Sequence, residues 1–119
     1  QIFIHNNPFE EALPYLTTAF EAVENDNDCV IVGVISRVQK KKDRNKKPFA
    51  FVNIYSTFGI IEGVLWNSQL VQYEDLVKKG SQVAIKCRKT DEDKVTIQAM
   101  RPYVEWLSER KKRHDRKNI

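Results

Sequence analysis

The stretch that decides the fold is CVIVGVISRVQKKKDRNKKPFAFVNIY, Cys29 to Tyr55. Its first part, Cys29 to Gln39, carries apolar residues on both faces of a period-two pattern with Gly33 in the middle. That pattern predicts a long strand that bends sharply and serves both halves of a small barrel. From Phe49 to Ser56, Ala50, Val52 and Ile54 alternate with Phe49, Phe51, Asn53 and Tyr55, a second strand with the first set facing the core. Between the two strands, six of the ten residues from Gln39 to Pro48 are Lys or Arg, and the run reads as a mobile cationic loop. Such a loop beside exposed rings suits single-stranded nucleic acid, because charges follow phosphates and every base has a face to stack.

Outward from this stretch, a turn at Thr57-Phe58-Gly59 leads to a third strand, Ile60 to Trp66, with Ile61, Gly63 and Leu65 inward and Glu62, Val64 and Trp66 outward. The period then becomes helical: Asn67 or Ser68 starts a helix that presents Leu70, Tyr73, Leu76 and Val77 on one face and stops at Gly80. A fourth strand, Gln82 to Lys89, turns inward Val83, Ile85 and Cys87, and the acidic turn Asp91-Glu92-Asp93 joins it to a fifth, Lys94 to Met100. Three strands, a helix and two strands is the layout of the all-β, five-stranded OB-fold barrel. Ahead of it, Asn7 as a cap, Pro8 at the first helical position and Phe9, Leu13, Leu16, Phe20 and Val23 at helical spacing predict a helical lead-in, kinked or broken at Pro14. Behind it, Arg110 to Arg113, Arg116 and Lys117 form a basic extension, a frayed helix or tail. The expected organisation is a lead-in over 1–28, a barrel over 29–104 and an extension over 105–119.

Charge is unevenly spread. The lead-in, Gln1 to Asp28, holds six of the sixteen acids and none of the twenty Lys and Arg, so the remainder carries a formal +10 and points to a polyanionic partner. No stretch of about 20 apolar residues and no signal peptide is present, which gives the expectation of a cytoplasmic protein without a membrane partner. Gln rather than Met at position 1 leads to the expectation of a piece of a longer chain. Cys29 and Cys87 form no C-x-x-C pair, and the two histidines, His5 and His114, lie at the extremes, so neither a metal site nor a cofactor is expected. Both cysteines sit in apolar alternating runs and are expected as free, buried thiols. There is no phosphate-cradling Gly-rich loop and no nucleophile triad, and Glu74-Asp75 beside Lys78-Lys79 reads as helix-surface ion pairing. No catalytic residue is assigned.

VIVGVISRVQKKKDRNKKPFAFVNIYSTFGIIEGVLW, followed by QYEDLVKKGSQVAIKCR and VTIQAMRPY, resembles the C-terminal OB domain of the bacterial or phage DNA polymerase III alpha subunit. That domain belongs to the wider group containing the anticodon-binding barrels of class II aminoacyl-tRNA synthetases. The PFAFV step and the GIIEGVLW strand with the Tyr-x-x-Leu helix behind it carry the likeness, and Tyr55-Ser56 departs from the acidic pair common before the turn. The resemblance implies an accessory domain that binds single-stranded DNA, with catalysis elsewhere in a DNA-directed DNA polymerase and the rest of that chain and replisome subunits as partners.

In this barrel the ligand usually lies across strands two and three, flanked by the loops joining strands one to two and four to five. The expected stacking face is therefore Phe49, Phe51, Asn53, Tyr55 and Trp66, with Phe51, at the family's FAF step, first. Lys40, Lys41, Lys42, Arg44, Lys46 and Lys47 are the expected phosphate contacts, and Arg37, Lys86 and Arg88 are expected to extend that surface. Asp91 to Asp93 would repel phosphate and keep the strand on the basic side. Rival readings are a tRNA anticodon-binding barrel and a protein-interaction barrel whose basic loop meets an acidic partner or the acidic lead-in itself.

Overall fold

The computed structural model describes residues 9–16 and 19–117, with side chains to Arg113, so the expected cap Asn7 and Pro8 lie outside the described residues. The strands are β1 (Asp28–Lys42), β2 (Pro48–Ser56), β3 (Gly59–Leu65), β4 (Gln82–Asp91) and β5 (Lys94–Pro102), with α1 (Asn67–Gln72) after β3 and α2 (Tyr103–Lys117) after β5. They close into a barrel in the order β1-β2-β3-β5-β4. Every pair is antiparallel except β3 with β5, which run parallel over Glu62–Val64 against Lys94–Thr96.

Alternation places the core as the sequence predicts. Ala50, Val52 and Ile54 of β2, Ile61 and Leu65 of β3, and Val83, Ile85 and Cys87 of β4 are buried together with Ile31 and Ile35 of β1. β1 pairs with β4 through Asp28–Val34 and with β2 through Gly33–Lys42, so Gly33 is the residue where the strand passes from one neighbour to the other. A Cβ built on Gly33 would lie 2.5 Å from the Tyr55 carbonyl oxygen and 2.9 Å from Ser56 Cα, so the bend admits no side chain without moving backbone. Beyond it the outer edge of β1 is finished by Ser81 and Gly80: Ile35 N–H donates to the Ser81 carbonyl and Gly80 N–H to the Ile35 carbonyl.

The outer face of β1 and β4 is also buried, which explains why β1 is apolar on both faces. Val32 and Ala84 pack under Phe9, Ala12, Tyr103, Trp106 and Leu107, a second core formed by the lead-in and α2. Phe9 meets Tyr103 edge to face at 4.9 Å, and Glu11 pairs with Lys111 at 2.6 Å. The basic extension is thus not a tail: α2 begins directly at the end of β5, and its apolar side seats it on the barrel. Among the described residues the ion pairs of the acidic segment are Glu11 with Lys111 of α2 and Asp28, the first residue of β1, with Arg88 of β4, not with the lysine-rich hairpin.

Two expected helices are shorter than periodicity suggests. In the lead-in the described residues form 3-10 turns at Glu10–Tyr15 and Phe20–Ala22 rather than an α-helix. Pro14 removes an amide donor within the first turn, and Leu13 is left exposed while Phe9 and Ala12 are buried. Phe20 leaves the expected stripe to join the barrel core, held by Lys89, whose Nζ donates to the Phe20 carbonyl at 2.9 Å and lies 4.4 Å from its ring centroid. After β3, α1 stops at Gln72 and a 3-10 turn, Glu74–Leu76, replaces the second half of the expected helix. Leu70, Tyr73 and Leu76 recur at a spacing of three, which a 3-10 turn keeps on one face. Among the described residues no helix is long and apolar enough to cross a membrane, and no cluster of three His, Cys, Asp or Glu side chains is placed to hold a metal.

The two interior glycines of the barrel provide a test of what limits closure. A Cβ on Gly63 would meet side chains, Ile97 at 2.6 Å and Val95 at 3.4 Å, whereas on Gly33 it meets backbone as well as the Ile54 side chain. Gly33→Ala is expected to destabilise the protein by about 1–3 kcal/mol, in the range for overpacked interiors, and Gly63→Ala by less, because Ile97 can change rotamer. Urea unfolding of the two variants checks the ranking, and the reverse order would contradict it.

Candidate nucleic-acid interface

With the β1/β4 wall covered, the wall formed by β2 and β3 is open. Its outer residues fall in rows set by register. Lys41 lies opposite Phe49, Gln39 opposite Phe51, and Arg37 opposite Asn53. Val64 and Glu62 of β3 continue the second and third rows, and Tyr55 pairs with Ile60 at the far end. Directly paired residues project to the same side of a sheet, so these rows form one surface.

Three of the predicted rings form a continuous ladder. Phe51 and Phe49 meet edge to face, with centroids 5.5 Å apart, and Phe49 leans on Trp66 at 5.1 Å with planes 31° apart. Trp66 follows β3 and precedes α1, and Asn67 fixes that junction by donating its side-chain amide to the Pro48 carbonyl at 3.0 Å. Trp66 remains half exposed while Phe49 and Phe51 are partly buried, so the ladder presents a supported edge rather than loose rings. Tyr55 is placed two residues beyond Asn53, beside exposed Ile60 at the β2–β3 turn, and joins the same wall at its other end.

The lysine run differs from the mobile loop that composition suggests. β1 continues through Lys42, paired with Pro48, and the turn comprises only Asp43 to Lys47. Asp43 organises it: its carboxylate accepts from the Asn45 and Lys47 amides at 2.8 and 2.9 Å, and its carbonyl accepts from the Lys46 amide. Lys46 adopts a left-handed conformation, φ +61°. An Asp side chain that mimics a backbone turn is the physical reason for a tight connection here. Alternation then sorts the cations. Arg37 and Lys41 stand on the aromatic wall, with Lys41 Nζ 5.5 Å from the Phe51 centroid. Lys40 and Lys42, opposite Ala50 and Pro48, project to the other side of the hairpin. Arg44, Lys46 and Lys47 sit at its exposed tip.

Lys86 and Arg88 are not brought to this wall. Both are on the outer face of β4, where Arg88 pairs with Asp28 at 3.3 Å and Lys86 lines a cavity with Trp106 and Arg110. In α2, Arg110 lies 5.7 Å from the Trp106 ring and Arg113 pairs with Glu109. Arg101 also pairs with Glu109, at 2.8 Å, and holds its carboxyl below the usual range. Arg116 and Lys117 have side chains outside the described residues.

Periodicity could not find the other edge of the wall. The parallel pairing of β3 with β5 puts Lys94 beside Glu62 and Thr96 beside Val64, extending the Asn53 and Phe51 rows by one strand. The acidic turn is tied to the same place, since Glu62 N–H donates to the Asp93 carbonyl at 2.8 Å. The wall is therefore cationic along β1 and mixed in charge along the β3–β5 seam. A polyanion is drawn to the Arg37–Lys41 side, next to the rings.

Residues 29–102 match the tRNA anti-codon family, the OB-fold nucleic acid binding domain, and the chain belongs to that family. No curated protein matches by sequence. Among solved structures, the chain is similar to the mitochondrial single-stranded DNA binding protein Rim1 of S. cerevisiae, with a TM-score of 0.54 and 15% identity over 66% of this chain and 94% of that one. It is similar also to the SSB domain of a Synechococcus sp. protein, at 0.51 and 15% over 66% and 97%. A ZRD-deleted mutant of TiaS matches at 0.50 and 14% over 67% of this chain and 22% of that one. At such identities the likeness is one of fold.

The sorting of the lysines generates a measurable difference. Lys41→Ala is expected to weaken nucleic-acid binding at low salt and lower the slope of log affinity against log salt by about 1, as loss of one phosphate contact does. Lys42→Ala, on the reverse side of the hairpin, is expected to change both less. Titration of a labelled oligonucleotide at several salt concentrations checks this; equal effects would mean that the hairpin contributes only a diffuse field.

Proposed function

We propose that this OB-fold nucleic acid binding domain holds single-stranded DNA across β2 and β3, without strong sequence preference. The observation that carries the reading is the Phe51–Phe49–Trp66 ladder on an open barrel wall with Lys41 above it. Rings supported from behind by one another lose little freedom when a base stacks on them, and every base has a π-face to offer. Arg37, Lys41 and the hairpin-tip cations would follow the backbone phosphates along β1, while Asn53 is placed to bond a base edge or a sugar. The fold likeness to two single-stranded DNA binding proteins supports the choice of ligand.

The wider role follows from the resemblance of the PFAFV and GIIEGVLW segments: an accessory domain of a replicative DNA polymerase that positions template strand, with nucleotidyl transfer carried out elsewhere in a longer chain. A second reading, binding of a tRNA anticodon loop, is favoured by the family match and uses the same aromatic wall. The two differ in ligand rather than in surface.

Fluorescence anisotropy decides between them. Oligo-dT is expected to bind at low salt and to release steeply as salt rises, and to bind more tightly than an anticodon stem-loop. The opposite preference would favour the RNA reading, and no binding of either would refute both. Phe51→Ala and Trp66→Ala are each expected to cost about 1–3 kcal/mol at every salt concentration with the salt slope nearly intact, as loss of one base-stacking platform does.

A further inference from the structure

Cys29 and Cys87 are direct partners across the β1–β4 ladder. Both are free, with sulfur atoms 3.6 Å apart. They differ in environment. Cys87 is fully buried among the barrel interior residues, whereas Cys29 is half-buried and is one of the residues lining a cavity of about 290 Å³ between the lead-in, β1, β4 and α2. Lys86 and Arg110 line the same cavity and have no ion-pair partner among the described residues, while Asp28, its one acid, is engaged by Arg88 and Gln98. Paired residues share a side of the sheet, so both thiols lie on the interior side of the ladder and Lys86, paired with Val30, on the outer side.

We propose that this pair is a thiol–disulfide exchange site, in which Cys29 attacks a low-molecular-weight disulfide of the glutathione class and Cys87 resolves the adduct. The Cys29 thiolate attacks one sulfur of the disulfide, forming a mixed disulfide at Cys29 and expelling the first thiolate. Cys87 then attacks Cys29 Sγ and expels the second thiolate, which takes up the Cys87 proton as it leaves. The reagent is reduced by two electrons to two thiols, and the protein dithiol is oxidised to a Cys29–Cys87 bridge across β1 and β4.

The asymmetry needed for this order is built into the pair. The hydrogen bond between the two thiols, with Lys89 nearby, holds Cys29 below the ordinary thiol range, and the same bond together with burial pushes Cys87 up. The more acidic, more accessible thiol attacks first, since thiolate fraction and access govern exchange. The buried one needs only the short step to its neighbour.

The experiment exposes the folded protein to oxidised glutathione, quenches with acid, alkylates, and reads intact mass and a peptide map. Wild type is expected to lose two hydrogens and yield a cross-linked Cys29–Cys87 peptide with no lasting adduct. Cys87→Ala is expected to accumulate one glutathione at Cys29, and Cys29→Ala to remain unmodified over the same time. A lasting mixed disulfide in wild type, or modification of Cys87 as fast as of Cys29, overturns the assignment. The wild-type peptide map stands even where a cysteine variant folds poorly.

Discussion

A single long strand that must belong to two neighbours is the constraint on which this protein depends. β1 can pair with β4 at its start and β2 at its end only by turning sharply, and it turns at Gly33, where the Tyr55 carbonyl and Ser56 Cα leave no room for a side chain. Everything else is arranged around the two halves that result. The first half, Asp28 to Val34, is sandwiched between the barrel interior and the second core of Phe9, Ala12, Trp106 and Leu107. The second half leaves the barrel as one arm of a hairpin, and its paired partner carries the aromatic face.

This division separates stability from binding. Burying apolar surface at roughly 25 cal/mol per Å² favours covering every apolar wall, yet the described residues of the lead-in and α2 cover the β1/β4 wall and leave β2/β3 exposed. The Lys89 bond to the Phe20 carbonyl ties the lead-in to the end of β4, and the Glu11–Lys111 pair ties it to α2. The β2/β3 wall keeps Tyr55, Ile60 and Trp66 exposed. Exposed aromatic rings that are braced by neighbours and flanked by cations are surface that the fold does not need for its own core.

The strands and their inward faces were legible in the sequence because period two is a strong signal wherever one face is buried: Ala50, Val52 and Ile54, then Ile61 and Leu65, then Val83, Ile85 and Cys87 required only alternation. The aromatic set followed by elimination. What failed did so for physical reasons that a linear pattern does not encode. Helical spacing in the lead-in ignored the missing amide of Pro14 and could not know that Lys89, far along the chain, captures Phe20. A run of lysines reads as a loop because charge runs are usually solvated, although Asp43 alone can close a five-residue turn and let the strand continue through Lys42. Lys94 and Thr96 stayed hidden because parallel pairing of β3 with β5 leaves no local mark. Lys86 and Arg88 were placed by strand adjacency on a wall that α2 and the lead-in occupy, since the sequence does not say which wall the appendages cover. Cys29 was expected to be buried like Cys87, but it opens β1 at the barrel rim, where the lead-in covers it only in part.

Register also explains how a chain with a dense basic segment avoids a sticky, undirected patch. Had Lys40 to Lys47 been a loop, its charges would average over all directions and attract any polyanion from any side. Pairing with Pro48 to Ala50 fixes Lys40, Lys41 and Lys42 each to one face, so Lys41 stands over Phe51 while Lys40 and Lys42 point away. The same ladder puts Arg37 in line with Asn53 and Glu62, and the β3–β5 seam adds Lys94 beside Glu62. A strand of nucleic acid on this wall meets cations along one edge and compensated charge along the other. In the proposed binding mode its phosphates would lie on the β1 side and its bases against the rings.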